Sequence, residues 1–251
     1  MKYKNINHLN LKAFLVGHYG SKKILQASSF LNKKYLPSEI EIIYLNFGNF
    51  NKKKLHGCDY QSFGYFGSSK KYWSANLVKV LKNISDEFVL LALDDFLLSK
   101  SLNVDNFMKL YSELENNSDY IAAELTLSPM EKALGNFTEK NSIYIYPDTF
   151  GFSINTQWRI WKRQNLIKIL ENTTDAWNFE VKGSEIQNKS DFKSISNYKP
   201  VLDYPEISAI TQRNLKNVSV FANQYEDIEE LIDLGYLKRD ELILGQWKSG
   251  I

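Results

Sequence analysis

Two adjacent aspartates follow the most apolar stretch of the chain. Asp94 and Asp95 come directly after FVLLAL, residues 88–93, in which no side chain is polar. Two ionised carboxylates are costly to bury side by side unless a cation, a hydrogen-bond donor or water receives them. We therefore expect the apolar run to end here, at a surface or at a site.

An acidic pair at the end of a strand suits a divalent cation. Mg²⁺ and Mn²⁺ prefer oxygen ligands, and one or two carboxylates are enough when phosphates complete the coordination shell. The structural alternative is that one aspartate caps the next helix, but FLLSKSLN intervenes, and Ser101 or Asn103 is better placed as the cap. The pair therefore predicts a Mg²⁺ or Mn²⁺ site with Asp95 as the main ligand and Asp94 as its helper.

Strand-like and helix-like patterns alternate before this pair. Strands are predicted at residues 11–17, 39–47 and 88–93, helices at 21–32 and 72–84, and a loop at 48–71. Such alternation, with one continuous apolar strand, is typical of a mostly parallel sheet that helices cover on both faces. In open sheets of this kind ligands bind outside the carboxyl ends of the strands, where the aspartates lie.

The remaining patterns extend the same architecture. Helices are predicted at residues 104–114, 157–170 and 225–234, and strands at 119–125 and 142–147. No internal repeat or interdomain linker interrupts the chain. The sequence thus predicts one three-layer α/β/α domain with a mostly parallel central sheet and a C-terminal extension.

Composition and missing motifs exclude several classes of function. A formal net charge of +2 over 251 residues gives no argument for nucleic-acid binding, and the single Cys58 suits a reducing compartment. The three histidines lack zinc-ligand spacing, and neither a GxGxxG fingerprint, a P-loop nor a GxSxG elbow is present. No apolar stretch has the length of a signal h-region or a membrane span, so we expect a cytoplasmic protein.

Two segments resemble a known family. YWSANLVKVLKNISDEFVLLALDDFLL, residues 72–98, resembles the nucleotide-sugar-binding half of GT-A glycosyltransferases, with an aromatic-Ser helix start, an apolar strand and an acidic pair. The family's Asp-x-Asp metal signature would be Leu93-Asp94-Asp95 here, with an apolar first position. Residues 150–185 are similar to the acceptor-side region of bacterial polysaccharide glycosyltransferases and contain AWNFE and Gly183-Ser184.

The resemblance implies a fold and a division of the chain. It implies a single GT-A-like domain over residues 1–251, of the kind that acts in capsule or lipopolysaccharide assembly. Residues 1–100 would form the nucleotide-sugar-binding half, 101–215 the acceptor-side half and 216–251 a C-terminal helical extension. A glycan or lipid-linked sugar would be the acceptor, and the resemblance leaves peripheral association with the inner face of the membrane open.

The resemblance also implies roles for single residues. Inverting glycosyl transfer needs a base at the acceptor hydroxyl, and Glu180 in AWNFE is the candidate. Trp177 and Gln157 would contact the acceptor. From charge and position rather than from the resemblance, Arg213 or Lys216 would supply additional positive charge near the donor phosphates, and His18, after the first strand, would lie near the nucleotide.

Two other functions stay open at the level of sequence. A nucleotidyltransferase acting on a sugar phosphate would use the same acidic metal site, although GHYGSKK, residues 17–23, has only a weak likeness to its Gly-rich phosphate loop. A non-catalytic carbohydrate-binding protein would keep the fold without the chemistry. Separate replacement of Asp95 and Glu180 tests this last alternative, because binding without loss of turnover in both variants would favour it.

Overall fold

The strands form a single ten-stranded sheet in the part of the chain that the structure describes. This computed structural model describes residues 6, 9, 11–17, 22–47, 54–64, 69–126, 138–140, 143–197, 199–204 and 227–236. The strands are β1 (Leu11–Gly17), β2 (Ile40–Phe47), β3 (Lys54–Leu55), β4 (Cys58–Gly64), β5 (Phe88–Leu93), β6 (Tyr120–Glu124), β7 (Thr138–Lys140), β8 (Ile143–Ile145), β9 (Arg159–Lys162) and β10 (Lys193–Asn197). Their order across the sheet is β3-β4-β2-β1-β5-β9-β6-β10-β8-β7.

Helices cover both faces of this sheet. They are α1 (Lys22–Tyr35), α2 (Ser69–Lys82), α3 (Val104–Asn116), α4 (Arg163–Leu170), α5 (Ala176–Asn188) and α6 (Ile228–Asp233). One apolar core contains Leu25 of α1 and Phe107 of α3, and the core on the other face contains Trp73 of α2, Leu166 of α4 and Phe179 of α5. The predicted three-layer α/β/α arrangement is present. None of the described helices is long and apolar enough to span a membrane.

The strand that precedes the aspartates is an interior strand, as its sequence predicts. β5 pairs in parallel with β1 on one side and antiparallel with β9 on the other. Five of its six residues are buried, because apolar cores lie on both faces of the sheet. The helix that follows is capped by Asn103, whose side chain accepts a hydrogen bond from Asn106 N at 3.0 Å, so neither aspartate is its cap.

The sheet is mixed rather than mostly parallel. Among the described strands, four pairs are parallel (β1 with β2, β1 with β5, β2 with β4 and β6 with β10) and five are antiparallel. The prediction of a mostly parallel sheet missed β9, which lies antiparallel between β5 and β6.

Residues 157–170 were wrongly predicted as one helix. Trp158, Trp161, Leu166 and Leu170 have helical spacing, but only Arg163–Leu170 is helical. Trp158 directly precedes β9 and Trp161 lies in it. Because they are an odd number of residues apart in extended backbone, their side chains point to opposite faces of the sheet and are buried in different cores. A short strand that is buried on both faces has no alternation to reveal it.

The predicted loop at residues 48–71 was also incomplete. Cys58–Gly64 forms β4, which pairs in parallel with β2 and extends the sheet beyond β1. The helix α2 begins at Ser69, within the predicted loop. Gly57 lies in the turn between β3 and β4 and Gly64 ends β4, while Ser62 lies within the extended segment CDYQSFG.

Candidate functional site

Three residues from three neighbouring parallel strands meet at the carboxyl edge of the sheet. Gly17 ends β1, Asn46 is its pairing partner in β2, and Asp94 follows β5. A Cβ atom on Gly17 would lie 2.9 Å from the Asn46 Cγ and Oδ1 atoms and 2.9 Å from the Asp94 Oδ2 atom. Only glycine therefore lets the amide and the carboxylate converge over the end of β1. We call Gly17, Asn46 and Asp94 the strand-end cradle.

The polar atoms of the cradle are largely withdrawn from solvent. Asn46 and Asp94 are 6% and 7% exposed, and the Asn46 Oδ1 atom has no hydrogen-bond partner among the described residues. Burial, together with the nearby Asp94 charge, raises the pKa of Tyr60 to about 12. A buried acceptor without a partner is unfavourable unless water or a ligand donates to it, so the Asn46 Oδ1 atom is a candidate acceptor for a donor group of a ligand.

The acidic pair fits a divalent cation that is shared with a phosphate ligand. Asp94 is buried and Asp95 half-buried at the same strand end. In the described part of the chain no three His, Cys, Asp or Glu side chains form a group that could hold a metal by themselves. A cation that takes one or two carboxylates and completes its shell with phosphate oxygens matches this donor set.

Glu180 is tied to the end of β5 through Thr156. The Glu180 Oε1 atom accepts hydrogen bonds from Thr156 N at 2.8 Å and from Thr156 Oγ1 at 2.7 Å. The Thr156 carbonyl oxygen in turn accepts a hydrogen bond from Leu93 N at 3.1 Å. Glu180 belongs to α5, whereas Thr156 lies in the loop between β8 and β9, residues 146–158. Through Thr156, Glu180 lies two hydrogen bonds from Leu93, the residue that precedes the acidic pair.

Helix α5 is fixed to this loop at a second point. Ser184, one turn after Glu180, accepts a hydrogen bond from Ile154 N at 3.0 Å and donates to the Glu180 carbonyl oxygen at 2.6 Å. A Cβ on Gly183 would lie only 3.1 Å from side-chain atoms of Ile154 and Ile169. The Gly183-Ser184 pair thus lets the helix approach the loop closely.

The environment of Glu180 raises the pKa of its carboxyl. Burial raises the pKa of the Glu180 carboxyl, and the Glu124 charge adds to this, while the two Thr156 hydrogen bonds and the Arg159 charge lower it. The net pKa is above the ordinary value for glutamate. A carboxylate held in this way is suited to act as a general base.

A buried ionic network of Arg159 and Glu124 is hydrogen-bonded to the loop through Asn155. Arg159 and Glu124 form an ion pair in which both side chains are fully buried, and Tyr146 donates to the same carboxylate. Asn155 donates to Glu124 Oε2 at 3.1 Å and accepts from Arg159 Nε at 2.9 Å. Asn155 precedes Thr156, so this network fixes the backbone that holds Glu180.

The two predicted acceptor residues differ in their surroundings. Trp177, one turn before Glu180, is 67% exposed and packs against Phe152, itself 43% exposed, with ring centroids 6.1 Å apart. Gln157 is half-buried, and its Oε1 atom accepts a hydrogen bond from the Tyr204 hydroxyl at 3.0 Å. Trp177 thus offers an open aromatic face, while Gln157 links the loop to Tyr204.

The structure brings part of the predicted site together. Asp94 and Asp95 follow the end of β5. Glu180 is linked to the same strand end through Thr156. His18, Arg213 and Lys216 lie outside the described residues. Sequence analysis missed Asn46 and Thr156. The signal for Asn46 was present, since it is the one amide side chain in the apolar run IIYLNF, whereas Thr156 is recognisable only from its contacts.

Known proteins resemble this chain in fold and not in sequence. No family model matches it, and no curated protein matches it. The mannosyltransferase PcManGT from Pyrobaculum calidifontis, solved with GDP-Man and Mn²⁺, is 11% identical with a TM-score of 0.51 over 77% of this chain and 56% of its own. A cytidylyltransferase from Leptospira borgpetersenii is 10% identical (TM-score 0.48, 90% and 94% covered), and TarS from S. aureus is 11% identical (TM-score 0.46, 77% and 59%).

The match to the mannosyltransferase shows a shared fold. In the described part of this chain that fold is a mixed sheet with helices on both faces. The chain spans little more than half of the length of the mannosyltransferase that it resembles. At such low identity the likeness concerns the fold alone.

Proposed function

We propose that the chain is a glycosyltransferase that moves a sugar from a nucleotide-sugar donor to a glycan or a lipid-linked sugar. The observation that carries this proposal is the link from Glu180 through Thr156 to Leu93, beside the acidic pair. It gives one edge of the sheet both a candidate base and carboxylates for a cation. The mannosyltransferase of similar fold was solved with GDP-Man and Mn²⁺, which supports the proposal, but the assignment rests on this chain's own residues.

The strand-end cradle would hold the nucleotide side of the donor. Asn46 Oδ1 is a buried acceptor that suits an N–H or hydroxyl donor of the nucleoside. Asp95, with Asp94 as helper, would hold Mg²⁺ or Mn²⁺ at the diphosphate. When bound, such a cation stabilises the charge that the leaving nucleoside diphosphate acquires. His18 would lie near the nucleotide, and Arg213 and Lys216 would add positive charge near the phosphates.

Glu180 would act at the acceptor. Its carboxylate takes the proton of the acceptor hydroxyl as that oxygen bonds to the anomeric carbon and the bond from that carbon to the diphosphate breaks. Attack opposite the leaving group inverts the anomeric centre. Trp177, on the same helix, would present its exposed face to an acceptor sugar ring, with Gln157 beside it.

Surface-polysaccharide synthesis is the pathway that we propose for this reaction. It rests on the resemblance of residues 150–185 to enzymes of that kind. The transfer would take place on the cytoplasmic side of a membrane, since nucleotide sugars and lipid-linked acceptors meet there. The division of the chain into a donor half, an acceptor half and a C-terminal extension belongs to the same proposal.

The first experiment is a binding test. GDP-mannose, UDP-glucose and CTP are screened by thermal shift with Mn²⁺ and with EDTA, because a ligand of the folded state raises the melting temperature. We expect a nucleotide sugar to stabilise the wild type with Mn²⁺, and Asp95→Asn to lose that shift. Asp119→Asn, an exposed aspartate at the opposite edge of the sheet, is the matched control. An unchanged shift in Asp95→Asn would reject the metal assignment.

The second experiment is a turnover test with Glu180→Gln. Loss of a general base lowers kcat by roughly 10²-fold or more, with donor affinity little changed. Glu185→Gln, exposed on the same helix, should keep full activity. Release of a nucleoside diphosphate identifies a glycosyltransferase, release of pyrophosphate from CTP identifies a nucleotidyltransferase, and binding without turnover identifies a carbohydrate-binding protein.

A further inference from the structure

Thr156 makes hydrogen bonds to both sides of the candidate site. Its carbonyl oxygen accepts from Leu93 N at 3.1 Å, and its amide and hydroxyl both donate to Glu180 Oε1 at 2.8 and 2.7 Å. Thr156 is itself only 5% exposed. We propose that Thr156 is a positioning residue, which holds the Glu180 carboxylate at a fixed place relative to the end of β5, which Asp94 and Asp95 follow.

The backbone of Thr156 is immobilised from both directions. The Asn155 side chain is locked between Glu124 and Arg159, and its Oδ1 atom also accepts from Gln157 N at 3.1 Å. On the other side of Thr156, the Gln157 Oε1 atom accepts a hydrogen bond from the Tyr204 hydroxyl at 3.0 Å. A catalytic group must be held within a fraction of an ångström of its working geometry, and such locking of its supporting residues is how this is achieved.

The two contacts on α5 set the direction of the Glu180 side chain. Ile154 meets Ser184, and two residues later in the loop Thr156 meets Glu180, one turn earlier in the helix. The loop and the helix are therefore antiparallel here, with two loop residues spanning the same distance as one turn of α5. Because both Thr156 donors bind Oε1, they orient the carboxylate and leave Oε2 outside these two hydrogen bonds.

Both donors also favour the ionised form of the carboxylate, which is the form that a base needs. A hydrogen bond to a charged acceptor is stronger than one to its neutral form, so the hydroxyl and the amide oppose the effect of burial. The charged groups that act on Glu180 from the neighbouring strands are Arg159, which favours ionisation, and Glu124, which disfavours it. Thr156 therefore keeps Glu180 ionised over a wider range of pH.

The decisive experiment needs no substrate. Urea unfolding between pH 4 and pH 8 is measured for the wild type, Thr156→Val and Thr156→Ser, each with and without Glu180→Gln. Thr156→Val keeps the size and removes the hydroxyl, while Thr156→Ser keeps the hydroxyl. Thr156→Ala, which removes the hydroxyl without adding a methyl group, is measured in parallel in case valine disturbs the loop.

The difference between each protein and its Glu180→Gln counterpart isolates the titration of Glu180. The folded-state pKa of Glu180 is raised, so its contribution to stability is fully present below its unfolded-state pKa and is lost as pH rises through the folded-state pKa. Without the Thr156 hydroxyl, which lowers the pKa of Glu180, this loss should extend to higher pH. Thr156→Ser should restore the wild-type profile, and identical profiles for the wild type and both hydroxyl-free variants would overturn the proposal.

Turnover separates this inference from the proposed function on which it rests. With the nucleotide sugar that gives the thermal shift, Thr156→Val should lower kcat and move the acidic limb of the pH profile upward, at unchanged donor affinity. If Glu180→Gln keeps full turnover, the role of base falls, while the unfolding profiles still decide whether Thr156 holds Glu180. If Glu180→Gln is inactive and Thr156→Val keeps the wild-type rate and pH profile, the positioning role falls alone.

Discussion

The ion pair between Arg159 and Glu124 should be among the most sensitive points of the fold. Both side chains are fully buried, so the loss of either leaves a charge in the interior without its partner. Breaking a buried pair on one side costs about 3–5 kcal/mol of unfolding free energy. We therefore expect Glu124→Gln and Arg159→Met each to lower the unfolding free energy by about that amount.

An exposed pair in the same molecule provides the control. Lys82 and Glu171 lie 2.6 Å apart, but their side chains are 57% and 45% exposed. Solvent screens such pairs, and their loss costs only about 0.2–1 kcal/mol. Glu171→Gln tests whether the large effect expected at Glu124 comes from burial and not from the loss of any carboxylate.

A double-mutant cycle measured by urea unfolding completes the test. Because the Arg159→Met and Glu124→Gln double variant contains no unpaired buried charge, its loss should be smaller than the sum of the single losses by about 2 kcal/mol or more. The urea dependence should stay unchanged, so that the midpoint alone reports stability. Single losses below about 1 kcal/mol, or losses that simply add, would refute the reasoning.

Two further predictions concern the edge of the sheet and the open face of α5. Gly17→Ala should weaken nucleotide-sugar binding at least tenfold in titration calorimetry, because the methyl group would displace Asn46 and Asp94, which lie 2.9 Å from its position; unchanged affinity would mean that the cradle does not hold the donor. Trp177→Ala should raise the acceptor KM without lowering the melting temperature, since the indole is 67% exposed; Trp161→Ala, a fully buried tryptophan, should instead destabilise the fold by about 3–5 kcal/mol.

The elements nearest the acidic pair could be predicted from the sequence because their patterns are strong. FVLLAL is apolar throughout and has no other reading than a buried strand before two charges, and β5 begins and ends as predicted. β9 could not be predicted in this way. Three of its four residues are buried, so no alternation marks it as a strand, and Trp158 and Trp161 continue the spacing of the helix that follows.

The supporting contacts of the site were out of reach for a different reason. Thr156 and Glu180 are 24 residues apart, and Glu124 and Arg159 are 35 residues apart. The sequence does not show that Thr156 and Glu180, or Glu124 and Arg159, are partners. Each pair is recognised only when the elements that carry the two residues are placed beside each other. Local pattern thus located the carboxylates, whereas tertiary contacts determine how they are held.

The antiparallel strand in the centre of the sheet also constrains how the chain can be made. Leu90 pairs with Ile160 and Leu91 with Arg159, so one edge of β5 stays uncovered until residues 159–162 have left the ribosome. An apolar strand with an open edge is a site for wrong pairing and aggregation during this interval. We therefore expect that the first half of the chain does not fold as an independent unit, and that a fragment ending before β9 precipitates unless a peptide that carries RIWK covers the edge.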